Sequence, residues 1–262
     1  MVTIDTIRSM KGEEKIVCLT AYDYPTAIIL DKARIDLILV GDSAANVFAG
    51  ERTTLSISME EMLYHTRVVS RAVKNALVIA DMPFLSYQAS EHEAVHNAGL
   101  FLKKGACGVK LEGGAPIAAT VKRLVELGIP VMGHLGLTPQ SIHQFGGYKL
   151  QGSDKIEAQR ILEYAEILEN AGIFALVLEK IPSELAHTIT KKTKVPTIGI
   201  GAGMDCDGQI LVLHDILGLY EDFKPKFVKR YASIGKDIHK AVQQYREEVK
   251  RGIFPDTDHS FK

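Results

Sequence analysis

The chain has 262 residues, 46% of them hydrophobic and 24% charged, which suits a globular protein with one large core. A net charge of −1 supplies no basic field for a polyanion and argues against nucleic acid as a partner. Residues 1–15 hold no apolar stretch of leader type, and no apolar run reaches the roughly 18 residues of a membrane span, so a cytoplasmic protein with no membrane partner is expected.

In chain order, short apolar runs alternate with amphipathic helical segments. Strands are predicted over Ile16–Thr20 and Leu37–Val40. Ser58-Met59-Glu60-Glu61 then reads as a capping box opening a helix, with Met59, Met62, Leu63, Thr66, Val69 and Val73 at helical spacing. A strand at Leu77–Ala80 is followed by a helix that Ser90 opens in the same way. Strands at Gly108–Leu111 and Pro130–Met132 lead to a glycine-rich stretch without periodicity, His143–Gly152, which reads as a long loop or lid. Ser153 or Asp154 opens a helix that runs to about Ala171 and stops at Gly172. A strand at Ala175–Leu178 precedes a helix with Pro182 in its first turn. Strands at Thr197–Ile200 and Ile210–Leu213 complete a set of eight, and a last helix spans about Ala232–Lys250. The basic stretch Lys224 to Arg251 reads as a solvated helix face. The tail from Gly252 to Lys262 is expected to pack on the barrel or on a neighbouring subunit.

Most of the strand runs are continuous in Val, Ile and Leu instead of alternating, as strands buried on both faces are. Eight such units predict an α/β fold: a single (β/α)8 TIM-type barrel with a C-terminal helix, one domain over 1–262. An open doubly wound sheet is the alternative, but no dinucleotide fingerprint follows the first strand. The three cysteines, Cys18, Cys107 and Cys206, are too widely spaced for a disulfide framework. Cys18 and Cys107 read as core thiols and Cys206 as a loop thiol with no neighbouring base to activate it.

Polar residues fall at successive strand ends: Asp42 and Ser43, Asp81, Lys110 and Glu112, His134, Glu179, and the turn Gly199 to Gly203. In a barrel these are at the carboxyl rim, where active sites are built. Carboxylates converging from adjacent strands are costly to desolvate unless something positive compensates, so Asp42, Asp81 and Glu112 point to a hard cation such as Mg2+. Singly, each also suits a helix cap or a solvated loop. Lys110 and Glu112 lie two apart and share one side of their strand, which makes Lys110 a clamp for a substrate oxygen or a structural ion pair. Glu179 ends an apolar strand and suits acid–base work. His134 suits a hydrogen bond to a substrate oxygen or a satisfied buried position. A small 2-oxo acid that forms a carbon–carbon bond next to its keto group fits this set.

The segments LTAYDYPTA, LVGDSAANVFAG, ADMPFLSYQ, GVKLEGG, PVMGHLGLTPQS, GGYKLQG, LVLEKIP, IGIGAG and CDGQILVLHD resemble the ketopantoate hydroxymethyltransferase family over nearly the whole chain. The resemblance implies a (β/α)8 barrel of the phosphoenolpyruvate/pyruvate type, commonly a homodecamer. It implies magnesium on Asp42, Asp81 and Glu112. The 2-oxo acid, 3-methyl-2-oxobutanoate, falls on Asp42, Ser43, Asp81 and Lys110, with His134 beside it. Glu179 becomes the acid–base residue and 5,10-methylenetetrahydrofolate the carbon donor. The product is 2-dehydropantoate, formed through an enolate, on the route to pantothenate and coenzyme A. The stretch Ala44-Ala45-Asn46-Val47 departs from the family's pattern near the substrate loop. A lyase or phosphomutase of the same barrel type is the rival, but its Lys-Lys-Cys-Gly-His loop is missing here. A barrel that binds without catalysis would predict a broken carboxylate set.

Overall fold

Eight apolar runs of four to six residues, each too short for a core helix, become the staves of a closed barrel. In a computed structural model that describes residues 1–220 and 225–261, the strands are β1 (Ile16–Thr20), β2 (Leu37–Val40), β3 (Leu77–Asp81), β4 (Gly108–Glu112), β5 (Val131–Gly136), β6 (Ala175–Glu179), β7 (Thr197–Ile200) and β8 (Gly208–Leu211). Each pairs in parallel with the next, and β8 closes on β1. The expected (β/α)8 barrel is the fold observed. β2, β3 and β4 are buried at every position, which is why their sequences run without alternation.

Contacts divide the chain into two compact units, Met1–Val212 and Leu213–Lys262. The first carries the barrel with helices α1 (Ile4–Ser9), α2 (Tyr24–Lys32), α3 (Ala44–Val47), α4 (Met59–Ala72), α5 (Glu91–Lys103), α6 (Ala118–Glu126), α7 (Ile142–Phe145), α8 (Lys155–Asn170) and α9 (Ser183–Lys192). The second holds α10 (Leu213–Leu217) and α11 (Ile234–Lys250). In it, Phe254 of the tail packs against Tyr245 of α11, ring centroids 5.6 Å apart. Lys224 and Lys262, the ends of two stretches read from the sequence, lie outside the described residues. No helix among the described residues is long and apolar enough to cross a membrane.

Several boundaries differ from the sequence pattern for one reason: backbone pairing is indifferent to side-chain polarity. The ladder runs on through Asp81, Glu112 and Glu179, and β5 continues to Gly136 with His134 inside it. β8 starts earlier than expected, and Leu213 opens α10 instead of ending the strand. The Ser58 box forms in full, with Glu61 N on Ser58 Oγ and Ser58 N on Glu61 Oε2. At Ser90 only the forward bond from Glu93 N is made, at 3.2 Å. Pro182 is the N-cap of α9, outside its first turn, with ψ at 138°. The glycine-rich stretch begins as a helical turn, α7, ended by Gly146 at φ +62°. Cys107 is exposed ahead of β4, while Cys206 is buried and its thiol is pushed up by burial, so it is inert.

Inside the barrel, Ile16, Leu37, Leu77, Met132, Ala175, Ile198 and Ile210 form an apolar layer near the strands' amino ends. Ile7 of α1 and Met10 behind it pack onto this layer and close the barrel from below. Lys11 anchors that floor, its Nζ 2.8 Å from Asp207, whose carboxylate also accepts from Thr197 N at 2.8 Å.

Asp31, at the end of α2, ties the α4–β3 turn by accepting from Lys74 N, Asn75 N, Ala76 N and Asn75 Nδ2 at 2.8–3.1 Å. Burial pushes this carboxyl up, but the hydrogen bonds from Ala76, Asn75 and Lys74 outweigh it and hold it below the usual carboxylate range. A depressed folded-state value stabilises above the ordinary one and fades as pH falls. Asp31→Ala is expected to cost about 2–4 kcal/mol near neutrality in urea denaturation. The gap from wild type should narrow as pH drops below 4, an order-of-magnitude bound from the ordinary carboxylate value of about 3.9.

Candidate active site

Two residues further along a strand, a side chain returns to the same face. Above the apolar layer, the inward residue therefore changes from Ile79 to Asp81, from Met132 to His134 and from Val177 to Glu179. Strand register sets the polar ones side by side. Asp81 pairs with Lys110, Glu112 with His134, and Gly136 with Glu179. Asp42 follows β2, where its own N–H donates to Asp81 Oδ2 at 3.0 Å. Ser43 begins the short turn of α3, its Oγ 2.8 Å from the Tyr22 hydroxyl.

Lys110 organises this layer. Its Nζ lies 3.1 Å from Asp81 Oδ1, 3.5 Å from Glu112 Oε1 and 3.0 Å from His134 Nδ1. Asp42, Asp81, Lys110, Glu112 and His134 are all buried. Burial pushes the Lys110 ammonium down, but Asp81, Glu112 and Asp42 outweigh it and hold its value above the ordinary lysine range. Glu112 is held below its usual value because Lys110 and His134 overcome burial. Burial, then the charges of Asp81 and Glu112, push Asp42 well above the carboxylate range, and burial also raises Asp81. With all three acids ionised, one ammonium leaves two negative charges in excess, and a proton on Asp42 relieves part of that excess.

His134 links this cluster to Glu179. Its Nδ1 faces Lys110 and Glu112, and its Nε2 lies 3.3 Å from Glu179 Oε2. Burial and then the Lys110 charge push its imidazolium down, but the hydrogen bonds to Glu112 and Glu179 and the charge of Glu112 outweigh them and hold it above the ordinary imidazole range. Glu179 is the most open of the set, with 16% of its side chain exposed. Lys180 turns away, its ammonium donating to the Tyr148 carbonyl, while Gln151 N donates to the Lys180 carbonyl at 3.0 Å. The glycine-rich stretch is thereby fastened beside Glu179. Burial and then the charges of Glu179 and Asp42 raise the Tyr148 phenol.

The structure thus brings Asp42, Ser43, Asp81, Lys110, Glu112, His134 and Glu179 to one rim. The turn after β7 is accounted for by packing and geometry: Gly201 and Gly203 have φ of +61° and +87°, and Gly199 lies against Cys206. Among the described residues, no group of three His, Cys, Asp or Glu side chains stands ready to hold a metal ion. The Lys110 ammonium bridges two of the acids expected to do so. The donors nevertheless fit a hard cation: they are three carboxylates with one ammonium among them, so their formal negative charge exceeds what Lys110 offsets. His134 Nε2 faces Glu179 Oε2 on the more open side of the set.

Sequence reasoning missed Gln140, Tyr87 and Tyr22. Gln140, in the 3-10 turn after β5, is buried and bonds to both Asp42 and Glu112. Tyr87 accepts from Glu112 N at 3.1 Å and donates to Gln140 Oε1 at 2.8 Å. The one available signal was a glutamine two residues after Leu-Thr at a strand end, which is weak.

The family profile for ketopantoate hydroxymethyltransferase matches residues 1–257. The chain belongs to that family. It is similar to the 3-methyl-2-oxobutanoate hydroxymethyltransferases of Syntrophus aciditrophicus, 57% identical over 99% of this chain and 96% of the relative, and of Syntrophobacter fumaroxidans, 58% identical over 99% and 93%. Among solved structures, phosphonopyruvate hydrolase superposes with a TM-score of 0.65 at 12% identity, covering 100% of this chain and 92% of the other. A 2,3-dimethylmalate lyase of the PEP mutase/isocitrate lyase superfamily gives 0.62 at 16%, covering 100% and 89%. At such identities these two show the fold alone. Family membership makes this chain an enzyme, a hydroxymethyltransferase.

Gly136 holds β5 against Glu179. It has φ +92°, and a Cβ there would lie 2.2 Å from the Glu179 carbonyl oxygen. Gly136→Ala must move the end of β6, so it is expected to cost about 1–3 kcal/mol in urea denaturation and to lower turnover through Glu179.

Proposed function

We propose that this chain transfers a hydroxymethyl group from 5,10-methylenetetrahydrofolate to C3 of 3-methyl-2-oxobutanoate, forming 2-dehydropantoate for pantothenate and coenzyme A synthesis. The observation that carries the reading is the excess of buried negative charge at the rim, set one histidine away from the open carboxylate of Glu179. The names of the family and of its relatives supply the substrate. With the activity go a cytoplasmic setting and a homo-oligomeric assembly, a homodecamer by family likeness.

Asp42, Asp81 and Glu112 would hold a magnesium ion, which when bound acts as a Lewis acid toward the oxygens of the 2-oxo acid and makes its C3–H more acidic. Lys110 presents an ammonium to the keto oxygen as it gains charge. Ser43 Oγ and His134 Nε2 are hydrogen-bonding groups for the substrate's remaining oxygens. Glu179 takes the C3 proton, and His134 beside it steadies the carboxyl group in both protonation states. Water takes the place of one folate nitrogen on the methylene carbon, and C3 bonds to that carbon as its bond to the other nitrogen breaks. In the net reaction C3 exchanges its hydrogen for CH2OH, whose oxygen comes from water. The displaced C3 proton and the second water proton go to the two folate nitrogens.

The test is an assay with both substrates, with Mg2+ and after chelation. Wild type is expected to turn over only with the metal, and Glu179→Gln to lose about 100-fold or more in kcat. Absence of wild-type turnover overturns the reading, whereas a normal rate in Glu179→Gln overturns the acid–base role alone. Deuterium exchange at C3 without folate should slow in Asp81→Ala.

A further inference from the structure

We infer that Gln140 is a positioning residue that sets which oxygens the three rim carboxylates offer to a cation, an inference that rests on the metal reading above. A carboxamide has two N–H donors and an oxygen with two lone pairs. In Gln140 all four are engaged. Nε2 donates to Asp42 Oδ2 and to the Met82 carbonyl, both at 2.9 Å. Oε1 accepts from Tyr87 Oη at 2.8 Å and from Gln88 Nε2 at 3.2 Å. The residue's backbone N–H donates to Glu112 Oε2 at 3.0 Å. Turning the amide over would face its oxygen to a carboxylate and a carbonyl, so these contacts admit one orientation.

The three acids share a pattern. Asp42 Oδ2 is taken by the Gln140 side chain, Glu112 Oε2 by the Gln140 backbone and Asp81 Oδ2 by the Asp42 backbone. The other oxygens of Asp81 and Glu112 face Lys110. One oxygen of each acid is thus pinned by an N–H, and two of the three pins come from Gln140. This residue does not itself touch the substrate or the reacting atoms. It acts from the turn after β5 on the ends of β2, β3 and β4 and spares a bound cation the cost of ordering its donors.

The test uses the purified full chain and Mn2+ as a spectroscopic probe, with the free ion followed by paramagnetic resonance. Gln140→Met keeps the length and loses the amide. Its Mn2+ Kd is expected to rise about tenfold or more over wild type. Raising Mn2+ should recover most of the lost turnover, leaving kcat largely spared. Asp31→Ala, destabilised far from the rim, should keep the wild-type Kd, which separates positioning from general instability. Should Gln140→Met fail to fold, Gln140→Asn keeps the amide but withdraws it by one carbon, and the same loss of affinity is expected. Wild-type binding with an unchanged Kd in the folded variant overturns the inference alone. A wild type that does not bind Mn2+ overturns the metal reading and this inference with it.

Discussion

Lys110 sets an ammonium 3.1 Å from Asp81 and 3.5 Å from Glu112 at a depth that leaves all three buried. Ionised carboxylates at that depth are strongly disfavoured by desolvation, and three from neighbouring strands repel one another as well. The lysine lets the layer exist, yet one positive charge does not balance it. Burial first, and the neighbouring carboxylates after it, displace Asp42 and Asp81 upward. A rim left underneutralised in this way is poorly suited to a purely structural role and well suited to receiving a cation and an anion together. Breaking such a pair from one side leaves the other charge stranded, so the layer behaves as a unit in which no member can be judged alone.

The barrel supplies what that layer needs. Below it lies a dry tier of Leu37, Leu77, Met132, Ile198 and Ile210, which keeps water from reaching the charges from beneath. Beside it, strand register turns residues distant in sequence into neighbours. Glu112 and His134 are 22 positions apart but directly paired across β4 and β5. Around it, Tyr87 and Gln140 consume the hydrogen-bonding capacity that would otherwise let the carboxylates turn. The same logic that stabilises the rim makes it rigid, and rigidity is what a site for a small, weakly featured acid requires.

Much of this was legible in the residues. β2, β3 and β4 were legible because strands buried on both faces show unbroken apolar runs, whereas β1 and β8 alternate buried and exposed positions. Asp42, Asp81, Glu112 and Glu179 stood out because carboxylates that singly suit a cap or a loop recur at the ends of several strands of one barrel. Gln140 did not, because its importance lies entirely in contacts with residues that folding brings to it, and an amide after a proline looks like an ordinary turn. Tyr87 was hidden in the same way. The role of α1 as a floor was also invisible, since Val2, Ile4, Ile7 and Met10 are scattered singly through a short segment that is otherwise polar. At β3, β4 and β6 the ladder runs one residue beyond the apolar run, onto Asp81, Glu112 and Glu179, the carboxylates that line the rim.

The floor formed by α1 has a kinetic meaning. A barrel closed by Ile7 and Met10 and anchored through Lys11 and Asp207 is a blind cup, with its charged layer facing the open side. On the proposed reading, two reactants of very different size approach the charged layer from the side opposite that floor. The smaller must settle against the carboxylates before the folate arrives, because a pterin seated over the mouth would bar its way. The product, larger than the acid that entered, must wait for the spent folate to leave. Closing one end of the lumen thereby imposes a sequence of arrivals and departures on the catalytic cycle.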